Sequence, residues 1–277
     1  MSQVLAGGRP TLRERTRRWA RPAFALLLLL GLLPLALVLL GALGTKSGLF
    51  DWRYGLGTLT AGWAPKAAFV GLAAGLAAIV LAVVSGARRL WLAAVLTLLA
   101  PAAVLAGLNG MRAQAGANPV HDVSTDVADP PMPSPALVAE RGPSAHPIER
   151  EPRTELRAGR PEVENWADNR VLRISGDLCR SARPVRLALA PAEAEERVEA
   201  ALREAGLTVR TGDELGRVEG THTSFWYEFK DDVIARVRPD GAGSRVDIRS
   251  ISRVGGSDLG ANCGRVTRIV QALSERD

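Results

Sequence analysis

The stretch AFALLLLLGLLPLALVLLGALGT, Ala23 to Thr45, contains no charged side chain. About 20 helical residues cross a hydrocarbon core of about 30 Å, so this run is long enough to span a bilayer. Two more runs share the property, Ala67–Ala87 and Leu90–Met111. Together they predict three membrane helices, over about 23–45, 67–87 and 90–111, and rule out a single soluble globule. Pro34 and Pro101 fall inside runs one and three, where kinks are tolerated if neighbouring helices satisfy the freed carbonyls. Trp19, Phe24, Trp52, Tyr54, Trp63 and Trp91 cluster near the run ends, as interfacial aromatics do. Gly71 and Gly75 form a small-xxx-small face suited to helix packing. The run interiors hold no ionisable residue, so they suggest no proton relay or ion path.

Charge then orients the runs. The 277-residue chain has 35 Lys+Arg against 29 Asp+Glu, a net +6, with a pI near 10.1. Residues 1–111 hold 11 basic and 2 acidic side chains; residues 112–277 hold 24 and 27. The surplus therefore belongs to the membrane half, and the remainder is slightly acidic, which argues against nucleic acid as a partner. Arg9, Arg13, Arg15, Arg17, Arg18 and Arg21 precede run one, and Arg88 and Arg89 separate runs two and three. The first loop carries Lys46, Arg53 and Lys66 over a longer stretch. Positive loops stay cytoplasmic. This predicts a basic cytoplasmic tail over 1–22, a membrane region over 23–111, and everything beyond Met111 outside. The apolar core of run one exceeds that of a usual signal peptide, which favours an uncleaved anchor.

Residues 112–165 contain 9 of the 17 prolines and read as an extended spacer. From Trp166 the pattern is globular. Pro191–Ala205 has Pro at its first turn, Glu193, Glu195 and Glu196 near its positive end and Gly206 beyond it, predicting a helix with Ala194, Val198, Ala201, Leu202 and Ala205 inward. Thr223–Lys230 alternates as a half-buried strand. Asp231-Asp232 then reads as a turn, and Val233, Ala235 and Val237 as the inner face of the next strand. After a turn at Pro239–Gly243, Arg245–Ser252 returns, and a helix over Ser257–Glu275 ends the chain. The expected class is α+β: three membrane helices, then a soluble domain over 166–277 with an antiparallel sheet and two main helices.

Three charged clusters invite chemistry. His121, Asp122 and Asp126 lie within a short run that could hold a divalent cation as a cofactor; Asp, Ser and Thr in such a run equally satisfy turn amides. Pairing Arg238 with Arg245 sets Arg236 opposite Asp247 and Ile234 opposite Arg249. The outer face then carries four arginines around one aspartate, readable as a solvated face or as an anion site. Finally, Arg249, Arg253, Ser257, Asp258, Asn262 and Arg265 run from a strand through a glycine turn to a helix N-terminus, where free amides attract anions. Ser257 or Asp258 could equally cap that helix. Cys179 and Cys263 are the only cysteines. Outside the cytoplasm they could form a disulfide; alternatively Cys263 is a small core residue on its helix's apolar stripe.

His121-Asp-Val-Ser-Thr-Asp126 followed by Pro130-Pro131, with Asp231-Asp232-Val233 and the run from Arg249-Ser250 to Asn262 and Arg265, resembles a bacterial and plastid family known as domain of unknown function 1499. The likeness covers about His121 to the C-terminus. Where that family shows an aromatic-proline step, this chain has Cys179-Arg-Ser-Ala-Arg-Pro184. The resemblance implies a folded unit over about 119–277, in membrane-attached or envelope proteins without an assigned reaction. The corresponding location is a bacterial inner membrane with the domain in the periplasm. Two roles follow as expectations. One is a binding or assembly module, whose partners would be the membrane and other envelope proteins or an anionic small ligand. The other is an envelope enzyme, a metal-assisted hydrolase combining His121–Asp126 with the Arg253–Arg265 turn.

Overall fold

A computed structural model describes residues 12–86, 88–118, 120–148, 179–210 and 214–275. The chain divides into two compact units, Met1–Met111 and Arg112–Asp277.

The first unit is helical. Helix α1 (Leu12–Lys46) is followed by a π-helical segment (Arg53–Trp63) that runs directly into α2 (Ala64–Ser85). A single 3₁₀ turn (Arg88–Leu90) leads to α3 (Trp91–Ala117). Three helical stretches are long and apolar enough to cross a membrane: Trp19–Lys46, Arg53–Ser85 and Arg88–Ala117. The expected loop before Ala67 is thus mostly helix. Glycine makes this possible: a Cβ on Gly55 would sit 2.5 Å from the Gly41 carbonyl oxygen, so only glycine lets these segments approach. Gly75 does the same between α2 and α3, where a Cβ would meet the Leu98 Cα at 2.6 Å. Burial is reversed relative to a soluble bundle. Ala64, Ala68, Ala78, Ala82 and Ala94 are buried, while Leu26, Leu29, Phe69, Val80 and Leu92 face outward. Small residues at contacts and large apolar ones outside is how helices pack in lipid.

The second unit is a six-stranded antiparallel sheet with helices on both faces. Its strands are β1 (Asp122–Ser124), β2 (Val185–Leu187), β3 (Thr208–Arg210), β4 (Arg217–Thr223), β5 (Lys230–Asp240) and β6 (Gly243–Ser252), with order β1-β6-β5-β4-β3. Strand β2 shares the β1 edge of β6, pairing Val185 with Val246 while β1 pairs Asp122 with Ile251. The β5–β6 register sets Arg238 opposite Arg245, Arg236 opposite Asp247 and Ile234 opposite Arg249, as the pattern predicts.

One sheet face is covered by α5 (Pro191–Glu204) and α6 (Ala261–Ser274). Val123, Val218, Val233, Ala235, Val237, Val246 and Ile248 meet Ala194, Val198, Leu202, Val266, Ile269 and Leu273 there. Pro191 opens α5 and Gly206 follows its end with φ 83°. Helix α6 starts at Ala261, later than Ser257, because Leu259 and Gly260 have φ of 57° and 87°. The other face is covered by the proline-rich segment, which folds back over it and carries α4 (Pro135–Arg141). The compositional spacer is therefore, over 120–148, part of the folded layer, in line with the earlier boundary near residue 119. Its end, and the globular start at Trp166, lie outside the described residues.

Two local expectations are corrected. Thr223–Lys230 is no strand: β4 ends at Thr223, and residues 224–229 form the hairpin turn. The Ser224 N–H donates to the Phe229 carbonyl, and the Phe229 N–H donates to Ser224 Oγ, 2.8 and 2.9 Å. Alternating aromatics imitated a strand. Asp231 and Asp232 are no turn but lie inside β5, which continues their alternation through Val233 and Ile234.

Candidate functional site

Alternation along β5 and β6 sends consecutive charges to opposite faces, and each face buries its own ionic cluster. On the α4 face, the centre is Asp232, fully buried. It accepts from Arg141 of α4, from Arg253 Nε at 2.9 Å and Nη2 at 2.8 Å, and from Thr221 Oγ1 at 2.8 Å. Arg253 also reaches Glu140 Oε1 at 3.1 Å. Beside it, Asp122 grips Arg249 with both oxygens, 3.0 and 2.6 Å. Next along the sheet, fully buried Asp247 accepts from Arg236, Arg238 and Arg245, 3.0, 2.7 and 2.9 Å. Asp126 and Asp129 close that cluster from the covering segment. Glu219 accepts from both the backbone and the hydroxyl of Ser134, the α4 N-cap.

The α6 face has a smaller cluster. Arg265 Nη2 donates to Asp231 at 2.9 Å, and its Nη1 donates to Ser250 Oγ at 3.0 Å and Asn262 Oδ1 at 2.7 Å. Asn262 Nδ2 donates to the His121 carbonyl at 3.1 Å and to Ser252 Oγ at 2.9 Å. Asp258 accepts from the Gly260 and Asn262 N–H groups, 2.7 and 2.9 Å, and its own N–H donates to the Val120 carbonyl at 3.0 Å. The segment beginning at Asn118 is thereby laced to the Ser257–Asn262 turn. These bonds make one folded unit of motifs more than a hundred residues apart.

The family described as protein of unknown function, DUF1499, matches residues 122–273. The chain belongs to this family. No curated protein and no solved structure matches.

Within this DUF1499 domain, the arginines singled out from sequence are committed to carboxylates. Arg249 and Arg253 lie on the α4 face, Arg265 and Asn262 on the α6 face, and all four are buried. They do not converge on one anion site. Ser257 and Asp258 act as turn and capping groups: Ser257 Oγ donates to the Asn118 carbonyl and accepts from the Leu259 N–H. Burial pushes the Asp258 carboxyl above its ordinary pKa. The arginine face of the β5–β6 hairpin is partly covered by the segment around Asp126–Asp129, which leaves Arg236, Arg238 and Arg245 half-buried.

The metal candidates are separated too. Asp122 is paired with Arg249. Asp126 accepts from the Ala128 and Asp129 N–H groups and from Arg245. Among the described residues, no three His, Cys, Asp or Glu side chains are grouped to hold a metal ion. His121 instead stacks on His146, with ring centroids 4.3 Å apart. Burial, then the neighbouring His146, lowers its pKa to about 4, against the pull of Asp122. His146 Nε2 lies 2.8 Å from the Gly255 carbonyl. Cys179 and Cys263 are joined by a disulfide, with Cα atoms 5.6 Å apart, which ties the segment before β2 to α6.

A cleft of about 380 Å³ opens at the β3 edge. Thr208, Gly220 and Thr221 form its floor, Leu137 its apolar wall, and Glu140, Arg210 and Lys230 its charged rim. Arg210 pairs with Glu140 across it. Sequence reasoning missed most of these residues, along with Arg141, Glu219 and the pairing of Asp232. One signal was readable: Ser134-Pro135, an N-cap followed by an N1 proline, with Gly142 after it, is a helix start and stop. It marks α4, which carries Leu137, Glu140 and Arg141.

Proposed function

We propose that this DUF1499 chain is an integral membrane protein that holds its C-terminal domain outside the cytoplasm as a binding or assembly module. The Cys179–Cys263 disulfide carries the location, because such bonds persist in oxidising compartments. The basic residues before run one and between runs two and three argue for the same side independently. Protease added to intact spheroplasts tests this: cleavage within residues 112–277 supports it, and protection until the membrane is lysed contradicts it.

The role rests on how the charges are used. Of the residues that a hydrolase reading needs, Asp122, Arg253 and Arg265 are held in buried ion pairs, and Asp126 in a partly exposed pair with Arg245. Such pairs favour a rigid scaffold over a reactive centre. The mixed-charge cleft over β4 is open and suits a small polar ligand or a segment of another envelope protein. A photo-cross-linking amino acid at Thr208 in the cleft should give a discrete adduct in native membranes that the same group at exposed Arg186 does not. Identical patterns from both positions would contradict a binding role for the cleft.

A further inference from the structure

Residues 112–277 contain a single lysine, Lys230; every other basic side chain there is an arginine. Lys230 is exposed and lines the cleft at the β3 edge, and its ammonium forms no ion pair among the described residues. The surrounding charges are matched without it. Asp232 is met by Arg141 and Arg253, and Glu140 by Arg253 and Arg210. Glu219 is met by the neutral donors of Ser134. Four cations therefore stand beside three carboxylates on this face, and the one left over points to an anionic occupant. We propose that the cleft takes the carboxyl end of a peptide, with the terminal carboxylate on Lys230.

The backbone beside Lys230 supports that occupant. Thr223 is its cross-strand neighbour, and both line the cleft. The Ser224 N–H donates to the Phe229 carbonyl, and bonded pairs alternate along an antiparallel ladder. Thr223, one residue from that pair, therefore directs its N–H and C=O away from β5. Thr221 does the same and meets Thr208 of β3. The β3 ladder stops there. By that register the residue facing Thr223 would be Gly206, whose N–H instead donates to the Arg203 carbonyl at the end of α5. Thr223 is exposed, and one backbone position of β4 thus stands open next to the unmatched cation. An added strand needs several such positions, whereas the last residue of a chain needs one. The cleft volume, about 380 Å³, lies at the small end of the range of about 300–1,000 Å³ for ligand clefts, which suits one or two residues.

The inference rests on the reading of the cleft as a binding site, and the test separates the two. The full chain in neutral detergent is treated with a limiting amount of an amine-acetylating ester, and acetylation of Lys230 is read by mass against Lys46 and Lys66. The competitors are a pool of N-acetylated, lysine-free tetrapeptides randomised at the last two positions, the same pool amidated at the C-terminus, and sodium acetate. The acid pool should slow acetylation of Lys230 by about threefold or more, the size of one partly exposed ion pair, and leave Lys46 and Lys66 unchanged. The amide pool and acetate should leave all three unchanged. Equal protection by the acid and amide pools, or protection by neither, overturns the inference. Protection by acetate equal to that by the acid pool overturns it in favour of a small carboxylate. The photo-cross-linking group at Thr208 reports on the cleft itself. Its adduct in native membranes should weaken in Lys230→Gln and persist in Lys230→Arg. An adduct undiminished in Lys230→Gln overturns the carboxylate anchor and leaves the cleft a binding site, while no adduct in any of these proteins removes both.

Discussion

At the residue scale, Asp232 ties the α4 face together. Removing its charge leaves Arg141 and Arg253 buried without their shared counter-ion, a loss of roughly 3–5 kcal/mol. Asp232→Asn should lower the thermal midpoint of the solubilised protein well below that of wild type. Arg186→Ala removes a pair with Asp240 in which Arg186 is 79% exposed, and should cost less than about 1 kcal/mol. Equal midpoints for both variants would show that the buried network contributes little. His121 provides a pH test. Its pKa is 6.5 in the unfolded chain and about 4 in the folded one, so unfolding takes up a proton between those values. Its contribution is therefore complete above pH 6.5 and is lost as pH falls toward 4, to a limit of about 3 kcal/mol at 1.36 kcal/mol per pH unit. His121→Leu should flatten the fall in thermal midpoint between pH 7 and 5. An unchanged slope would mean that other groups govern it.

At the element scale, α4 and α6 are each held by one decisive device. Ser134 Oγ accepts from the Leu137 N–H at 3.1 Å and donates to Glu219. Ser134→Ala should cost roughly 1–3 kcal/mol, the sum of a lost cap and a weakened buried carboxylate. Amide exchange across 137–141 should quicken before the rest of the domain; uniform acceleration would contradict a local role. The disulfide closes an 84-residue separation between the segment before β2 and α6. Loop entropy puts its loss at about 4–5 kcal/mol, so the Cys179→Ser, Cys263→Ser double variant should unfold at markedly lower denaturant.

Much of this level was legible in the sequence. The β5–β6 register followed from Arg238 facing Arg245, and α5 from its Pro191 start and Gly206 stop. Three things were not legible. Phe225, Tyr227 and Phe229 alternate as strand residues do, yet they lie in the turn between β4 and β5, which local pattern cannot distinguish. Asp231-Asp232 looked like a turn because two adjacent acids rarely enter a sheet interior. They do so here because each face supplies arginines from distant segments, Arg141 and Arg253 on one side and Arg265 on the other. The proline-rich segment read as a spacer because its burial depends on non-local pairing with Arg236, Arg238, Arg245 and Arg249.

At the scale of the whole molecule, the net charge of +6 is a sum of two unlike parts. The basic surplus lies around the apolar runs, while residues 112–277 hold 24 basic and 27 acidic side chains, and among the described residues Arg141, Arg236, Arg249, Arg253 and Arg265 are paired with carboxylates. A pI near 10.1 is therefore a property of the sum and not of the C-terminal part. The central claim is that this domain is closed by a disulfide outside the cytoplasm. The most direct measurement treats intact cells with a membrane-impermeant maleimide, before and after a membrane-impermeant reductant, and reads Cys179 and Cys263 by mass. The account predicts no labelling before reduction and labelling of both cysteines after it. Labelling of both without reductant, or labelling only after cells are lysed, would contradict it.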